Sequence, residues 1–353
     1  MEISTVSGPT IDEPQVSSKG AAFYVYLTLG SLGLIGNAFV CLVMIRYRNV
    51  FNSSTNKLII HQSAVDFLTC LVFILRLCLV ISPGNVPQNT LGTFYCKLWS
   101  SSLPQFALFI TSSYNLVAIS IERYYATCQP IRHRNLFSSR RLKIIMAAAW
   151  ICGWVPELHA VFIAQRIAGD CSFIWPSPET QALGGFLVFS QELFIPIAVI
   201  IFAYTNIISE LRTRSRARAA DNNQDARNML SRANKNVTKT LLVVAVFFGI
   251  CWTPASISYL LFNFGINSFV SYNSALPAVT TIVTVNLCIN PVIYCFTYER
   301  FQKQAKKMIC GGYQHNVNRV DTTSGSTRQV TNAQHTAQVS VISAPSIPHA
   351  DEP

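Results

Sequence analysis

The sequence predicts an all-α membrane protein, a seven-transmembrane helix bundle with a short amphipathic helix after the seventh span. Half of the residues are hydrophobic and only 12% are charged, about half the charge of a typical soluble domain. Apolar runs of roughly 20 or more residues, the length that a helix needs to cross a bilayer, occur seven times. Lysine and arginine cluster in alternate connecting segments.

The apolar runs set the predicted spans. Buried helices of a soluble protein would show polar faces at 3.6-residue spacing, and these runs mostly do not. The third and fifth runs are long enough to continue beyond the bilayer as ordinary helix. The predicted spans are residues 21–45, 57–81, 94–126, 142–164, 181–211, 237–262 and 270–296.

The cations set the orientation. The segments after the first, third, fifth and seventh spans are rich in lysine and arginine, whereas the opposite loops contain only Lys97 and Arg166. Because cation-rich loops stay in the cytosol, we expect a multi-pass plasma-membrane protein with its N-terminus outside. The net charge of +11 then reflects topology and does not indicate nucleic-acid binding, which would need one basic stripe or patch.

Composition divides the chain into three regions. Residues 1–20 are predicted to form an extracellular N-terminal tail, and residues 21–310 the seven-transmembrane domain with its membrane-surface helix. Residues 311–353 are rich in Ser, Thr, Gln and Val, which predicts a disordered cytoplasmic tail.

The segment after the seventh span is amphipathic. Cys310 at its end is a candidate for palmitoylation, with an unmodified thiol as the alternative. Gly311 and Gly312 are expected to end the helix. The apolar residues share one helix face, as in a helix that contacts the lipids of the inner membrane surface: Tyr298, Phe301, Ala305 and Ile309.

Two cysteines differ from the others by location. Only Cys96 and Cys171 fall in segments that face outside, whereas the rest lie in apolar runs or at cytosolic edges. Two cysteines in an oxidising compartment predict one disulfide.

Polar residues inside the spans mark functional sites, because ionisable groups in lipid are costly. Asp66 lies mid-span in the second run, Asn37 in the first, and Asn286 and Asn290 one turn apart in the seventh. Two interpretations stay open: a hydrated cluster that holds an allosteric sodium ion, or a purely structural set of hydrogen bonds between helices. No other metal or cofactor is predicted.

Charged residues in the outward halves of the spans suggest a ligand pocket. Arg76, Glu157 and Glu192 would favour a ligand with both a positive and a negative group. The alternatives are an ion pair between Arg76 and one glutamate, or a Glu157 that reaches the membrane interface. The candidate pocket residues are Arg76, Gln105, Glu157, Gln191, Glu192 and Trp252.

Proline interrupts three spans. In the sixth span, Phe248 and Trp252 face the same way just below the kink expected at Pro254. Pro196 and Pro291 are expected to kink the fifth and seventh spans in the same way. Three kinks around one bundle indicate helices that can pivot.

Together these residues resemble the rhodopsin-like (class A) G protein-coupled receptor family over roughly residues 21–310. Glu122-Arg123-Tyr124 is similar to its acid-Arg-Tyr motif, Cys251-Trp252-Thr253-Pro254 to its CWxP switch, and Asn290-Pro291-Val292-Ile293-Tyr294 to its NPxxY motif. The signature positions of the other spans match at Gly36, Asn37, Asp66, Trp150, Pro196 and Tyr204.

The resemblance implies a mechanism and partners. An extracellular agonist would let the sixth span swing outward at Pro254, Arg123 would leave Glu122, and Tyr204 and Tyr294 would turn inward. The cleft thus opened would accept the C-terminal helix of a Gα subunit of a heterotrimeric G protein. Arrestin would bind a phosphorylated tail, and no enzymatic activity is implied.

The sequence departs from the family pattern at Asn234, where many relatives place an acid that clasps the motif arginine. The resting state would then be held less tightly, which predicts measurable basal signalling.

A second departure concerns the outer part of the third span. The spacing from Cys96 to Arg123 is about two residues longer than is usual in the family, which predicts a bulge near Pro104. The position where amine receptors carry an aspartate falls on Gln105 or Leu103, depending on the end from which it is counted, and neither is acidic. The seventh span also lacks a lysine for a retinal Schiff base.

Elimination of amines and retinal favours a neuropeptide ligand, with a small molecule or a lipid as the alternative. A secondary transporter is the rival class, but the sequence shows no internal repeat. An intramembrane enzyme is a weaker rival, because the histidines are scattered and lack metal-ligand spacing.

Overall fold

The computed structural model describes residues 20–219, 225–266 and 269–320, without the side chains at 215, 217–219, 225–234, 269–276 and 311–320. The predictions for the N-terminal tail before residue 20 and for the cytoplasmic tail after residue 320 lie outside the described residues. The side chain of Asn234 also lies outside them.

The described chain is almost entirely helical, with one short hairpin. Two π-helical segments, Tyr95–Ser100 and Ser190–Phe194, interrupt the α-helices. The elements in chain order are α1 Ala21–Arg46, α2 Ser54–Cys78, α3 Thr90–Phe94, α4 Leu103–Cys128, α5 Pro130–Leu136, α6 Ser139–Glu157, α7 His159–Ile163, β1 Ala164–Ile167, β2 Asp170–Phe173, α8 Pro178–Phe189, α9 Ile195–Ala219, α10 Asp225–Asn263, α11 Phe269–Thr297 and α12 Glu299–Val320.

These helices provide the seven spans, and an all-α membrane bundle is confirmed. The spans in order are α1, α2, α4, α6, the continuous α8–α9, α10 and α11. Among the described residues, six helices are long and apolar enough to cross a membrane, and the third span is not one of them. Most residues of the third span are buried. Its polar side chains therefore face neighbouring helices and not lipid, which explains its lower apolar content.

The third span, predicted over residues 94–126, departs from regular helix just before Pro104, near where the sequence predicted a bulge. The chain leaves the π segment at Ser100, Ser102 adopts a left-handed backbone with φ 61°, and a new helix begins at Leu103. Pro104 lies in the first turn of that helix, where its missing N–H breaks no hydrogen bond. The extra residues before Pro104 are absorbed in this break, as the long spacing from Cys96 predicted.

The fifth span is continuous, but it is not ordinary helix throughout. The π segment Ser190–Phe194 lies directly before α9, and Pro196 is the second residue of α9. Proline cannot donate to the carbonyl four residues earlier, and the wider π turn accommodates this loss. The turn rotates the outer part of the span relative to the inner part and so sets the direction of Glu192.

The outward-facing hairpin was not predicted. Strand β1 pairs antiparallel with β2, and the turn between them has positive φ at Ala168 (50°) and Gly169 (87°). The predicted disulfide between Cys96 and Cys171 is confirmed, with a Cα–Cα distance of 5.2 Å. It ties β2 to the π segment at the outer end of the third span.

Close helix contacts depend on glycine at two positions. A Cβ at Gly153 would lie 2.5 Å from the carbonyl oxygen of Ala107, so only glycine lets the fourth span approach the third this closely. A Cβ at Gly33 would lie 2.7 Å from Sγ of Cys70, which brings the first span against the second.

The chain divides into two compact units, residues 1–308 and 309–353. Within the first unit, α12 buries Phe301 and Ala305 against the bundle, next to the buried Tyr298. The prediction that Gly311 and Gly312 end this helix is wrong, because α12 continues to Val320. Glycine costs a helix roughly 1 kcal/mol per residue, but it does not clash with helical geometry.

Candidate functional site

The C-terminal part of the third span carries a buried ion pair. Arg123 donates from Nε to Oε2 of Glu122 (2.7 Å) and from Nη2 to Oε1 (2.9 Å). Glu122 is fully buried and Arg123 is 8% exposed, so water screens this pair only weakly. The guanidinium is therefore held by its own neighbour, as the charge pattern of the motif suggested.

Three further side chains complete this site, and sequence analysis did not identify them. Ser54 and Thr55, at the start of the second span, donate to the two oxygens of Glu122 at 2.6 and 2.9 Å. Nε2 of His133, in α5, lies 2.8 Å from Oε1 of the same carboxylate. Thr55 also accepts a short hydrogen bond from Arg123. The second span and α5 therefore stabilise the same carboxylate that holds the arginine.

The two switch tyrosines are buried without partners. Tyr204 is 3% exposed and Tyr294 is 1% exposed, and neither hydroxyl has a hydrogen-bond partner within the described part of the chain. A buried hydroxyl without a partner costs about 1–3 kcal/mol. By contrast, the hydroxyl of Tyr124 accepts a hydrogen bond from Gln129 at 3.1 Å, and its ring packs on Phe202.

The aromatic residues below Pro254 pack in the centre of the bundle. The ring of Trp252 lies 6.3 Å from that of Phe248 and 5.1 Å, edge to face, from that of Phe109. Phe109, on the third span, is the contact that sequence analysis missed. A pivot of the sixth span at Pro254 must slide Trp252 over this ring.

Asp66 is the centre of a buried polar cluster. Its Oδ1 accepts from Ser112 at 2.6 Å, and its Oδ2 accepts from Asn290 at 2.9 Å. Gln62 donates to both carboxylate oxygens at 3.3 Å. The structure thus brings together two of the four predicted cluster residues and adds two others.

The remaining two predicted members have no hydrogen bond to Asp66 among the described residues. Asn37 donates to the carbonyl oxygens of Gly33 and Leu287, both at 2.9 Å, and so ties the first span to the seventh. Asn286 is buried, and none of the hydrogen bonds between described residues joins it to Asp66. Spacing along one span predicted a shared face, but it did not predict which neighbouring helix that face meets.

A hydrogen-bond chain extends this cluster to the fourth span. Asn115 donates to Gln62 at 2.7 Å, and His61 donates from Nδ1 to Asn115 at 2.8 Å. Trp150 donates to Nε2 of His61 at 2.9 Å. Because Nε2 accepts, His61 is neutral with its proton on Nδ1.

The outward halves of the spans hold two separate polar groups. Arg76 donates to Gln105 at 2.7 Å, across the second and third spans. Gln191 donates to Glu157 at 3.0 Å, across the fifth and fourth spans, and Glu192 lies within electrostatic reach of Glu157. Glu157 and Glu192 are only 5% and 6% exposed. Arg76 lies on the second span, whereas Glu157 and Glu192 lie on the fourth and fifth.

Comparison with known proteins decides the family. The family model for the 7 transmembrane receptor (rhodopsin family) matches residues 36–294. The chain belongs to the rhodopsin family of seven-transmembrane receptors. It is therefore a signalling receptor and not an enzyme, and a multi-pass membrane protein.

Individual relatives of the receptor are distant. It is 26% identical to Melanopsin-A of Danio rerio over 88% of its own length but only 53% of the relative's. It is 26% identical to somatostatin receptor type 3 of Homo sapiens, over 81% of its own length and 67% of the relative's. It is 27% identical to galanin receptor 2b of Danio rerio, over 80% of its own length and 73% of the relative's.

Proposed function

We propose that the receptor binds an extracellular peptide and activates heterotrimeric G proteins by outward movement of its sixth span. The observation that carries this proposal is the buried Glu122–Arg123 pair beside the partnerless hydroxyls of Tyr204 and Tyr294. All four residues belong to motifs that the receptor shares with its family.

The pair and the tyrosines favour a two-state switch. In the described state Arg123 is satisfied by Glu122, whereas the two tyrosine hydroxyls are not satisfied. Outward movement of the sixth span releases Arg123 and lets both tyrosine hydroxyls find hydrogen-bond partners. The new bonds offset part of the free energy that is lost when Arg123 leaves Glu122. Because a ligand shifts such an equilibrium only by its differential affinity for the two states, a modest energy difference suits a ligand-controlled switch.

The relatives and the outward polar groups support a peptide ligand. Two relatives are named as receptors for somatostatin and galanin, which are peptides. The buried carboxyls of Glu157 and Glu192 suit a basic group of the ligand, and Arg76 suits an acidic one. These groups lie on different pairs of spans, so an extended ligand with both charges reaches them best.

A retinal ligand is not favoured, although one relative is named a melanopsin. The seventh span, residues 270–296, contains no lysine that would form a Schiff base. A small molecule or a lipid is the second candidate class, because the packed rings of Trp252 and Phe109 offer an apolar surface.

The charge pattern supports a receptor in the plasma membrane with its N-terminus outside. The four cation-rich segments then face the cytosol, and the disulfide between Cys96 and Cys171 lies in the oxidising compartment. The proposal includes two further cytosolic partners, arrestin at a phosphorylated tail and membrane lipids at α12. It also includes palmitoylation of Cys310.

Asp66 also suits an allosteric sodium ion. Its neighbours supply oxygen, which hard cations prefer, and the side-chain oxygen of Asn290 is buried without a hydrogen-bond partner within the described ranges. Asp66, Ser112 and Asn290 would hold the ion, which would supply one positive charge to the buried carboxylate.

The test is a peptide library applied to cells that carry the receptor and a promiscuous Gα with calcium readout. We expect a peptide to evoke calcium release, and Arg123→Ala to abolish the response at matched surface expression. Arg214→Ala, which removes a guanidinium from the exposed pair with Glu210, is the control and should respond. A response that survives Arg123→Ala would contradict the mechanism, and activation only by lipids or small metabolites would contradict the peptide.

A further inference from the structure

We propose that Asn236 and Thr240 of the sixth span form a polar latch that holds its cytosolic end against the junction of α11 and α12. This inference rests on the proposed movement of the sixth span. The latch consists of Asn236, Thr240, Thr297 and the backbone N–H of Glu299.

The amide of Asn236 bridges the break between two helices. Its Nδ2 donates to the carbonyl oxygen of Thr297 at 2.8 Å, and its Oδ1 accepts from the N–H of Glu299 at 3.1 Å. Thr297 ends α11 and Glu299 begins α12, so these backbone groups belong to the ones that lack partners inside a helix. An amide side chain carries its donor and its acceptor on separate atoms, so asparagine can bond both backbone groups at once.

A second contact joins the same two spans one turn further along. The hydroxyl of Thr297 donates to that of Thr240 at 3.0 Å. Thr240 donates its own proton to the carbonyl oxygen of Asn236, so its oxygen can accept from the neighbouring span. The single proton of Thr297 is shared between Thr240 and the carbonyl oxygen of Ile293.

The other side of the latch is anchored. Tyr298, between Thr297 and Glu299, is 1% exposed and donates to Asn56 of the second span at 2.7 Å. Phe301, in the first turn of α12, is fully buried. When the cytosolic end of the sixth span moves outward, the junction stays with the bundle, so the movement must break all three bonds of the latch.

The latch supplies a restraint where the sequence lacks one. Many members of the family place an acid at the position of Asn234, two residues before Asn236. The latch is neutral and only partly buried, so each of its bonds contributes the net value of an ordinary hydrogen bond, about 1 kcal/mol. Loss of one bond therefore raises the ratio of open to closed receptor about fivefold.

The experiment measures the position of the sixth span without a G protein. Purified receptor in lipid nanodiscs carries spin labels at Lys239→Cys and Arg48→Cys, with the other exposed thiols replaced, and double electron–electron resonance gives the distance distribution. Asn236→Leu, which keeps the branched shape of the side chain and removes the amide bonds, should raise the population at long distance at least fivefold. Thr281→Val removes a hydroxyl that bonds only within the seventh span, and it should leave the distribution unchanged.

A second pair of variants covers the case in which Asn236→Leu does not fold. Thr240→Val and Thr297→Val should each widen the distribution, and the double variant should widen it by less than the product of the two, because both remove the same bond. An unchanged distribution in Asn236→Leu, or in both threonine variants, overturns the latch.

Nucleotide exchange on purified Gα, measured on the same samples, separates the latch from the proposed function. Wider distances with faster exchange support both. Wider distances without faster exchange support the latch and contradict coupling to that G protein.

Discussion

Replacement of Glu122 by glutamine should raise ligand-independent signalling. The carboxylate accepts five hydrogen bonds, two from Arg123 and one each from Ser54, Thr55 and His133. Glutamine keeps the volume, removes the charge and places an N–H₂ group where one oxygen accepted bonds. The resting state therefore loses its strongest restraint on Arg123, whereas the open state, in which Arg123 has left, loses little.

The size of the expected rise in ligand-independent signalling follows from the burial of Glu122. A hydrogen bond to a charged group contributes about 1.5–3 kcal/mol, and Glu122 is fully buried, so solvent screening does not reduce this value much. Loss of one such bond in the resting state, about 2 kcal/mol, raises the open-to-closed ratio about thirtyfold.

Second-messenger output without agonist, normalised to surface receptor, measures this effect. Glu210→Gln is the matched control, because it breaks an ion pair whose side chains are 35% and 41% exposed, and such a pair contributes at most about 1 kcal/mol. Output from Glu122→Gln that equals or falls below that of wild type, at equal surface expression, would refute the proposed role of the pair.

Three further predictions concern other parts of the receptor. Without agonist, cells with wild-type receptor should give more second messenger than mock-transfected cells. Asn234→Glu should lower that output, since it restores a carboxylate at the position where many members of the family carry one. Wild-type output no higher than that of mock-transfected cells would contradict this prediction. Cys96→Ser or Cys171→Ser should strongly reduce surface expression or peptide binding, because the bond ties the hairpin to the third span; free-thiol labelling of both cysteines in intact receptor would exclude the bond. Replacement of choline by sodium at constant ionic strength should slow basal nucleotide exchange, and Asp66→Asn should remove this sensitivity; an equal sodium effect in the variant would place the ion elsewhere.

The sequence predicted the spans and the switch residues because both depend on local patterns. Apolar length and cation placement locate a span whatever its neighbours are. The contact between Glu122 and Arg123 is between adjacent residues, and the spacing of Phe248 and Trp252 puts them on one helix face. These features need no knowledge of how the helices are rotated.

The helix rotations could not be predicted in the same way. Asn37 donates to the seventh-span backbone at Leu287, and none of the hydrogen bonds between described residues joins it to Asp66. Pro196 predicted a distortion of the fifth span, but a helix that lacks one backbone N–H can either kink or form a π turn. The structure has the π turn Ser190–Phe194.

Some of the residues that sequence analysis missed come from other helices. Ser112 reaches Asp66 from the third span and His133 reaches Glu122 from a loop helix, whereas Gln62 lies one turn before Asp66 on the second span. Polar residues at helical spacing in an otherwise apolar span, such as Ser112 and Asn115, were the available signal. The hairpin had a weaker signal in Gly169, whose positive φ the turn uses.

The most direct test of the whole arrangement is the sidedness of the two chain ends. An epitope tag before Met1 and a second tag after Pro353 are stained in intact and in permeabilised cells. Seven crossings with the ligand site outside and the Arg123 switch inside predict that intact cells show only the first tag and that permeabilised cells show both. Staining of both tags in intact cells, or of neither, would contradict an odd number of crossings, and staining of the second tag alone would invert the orientation.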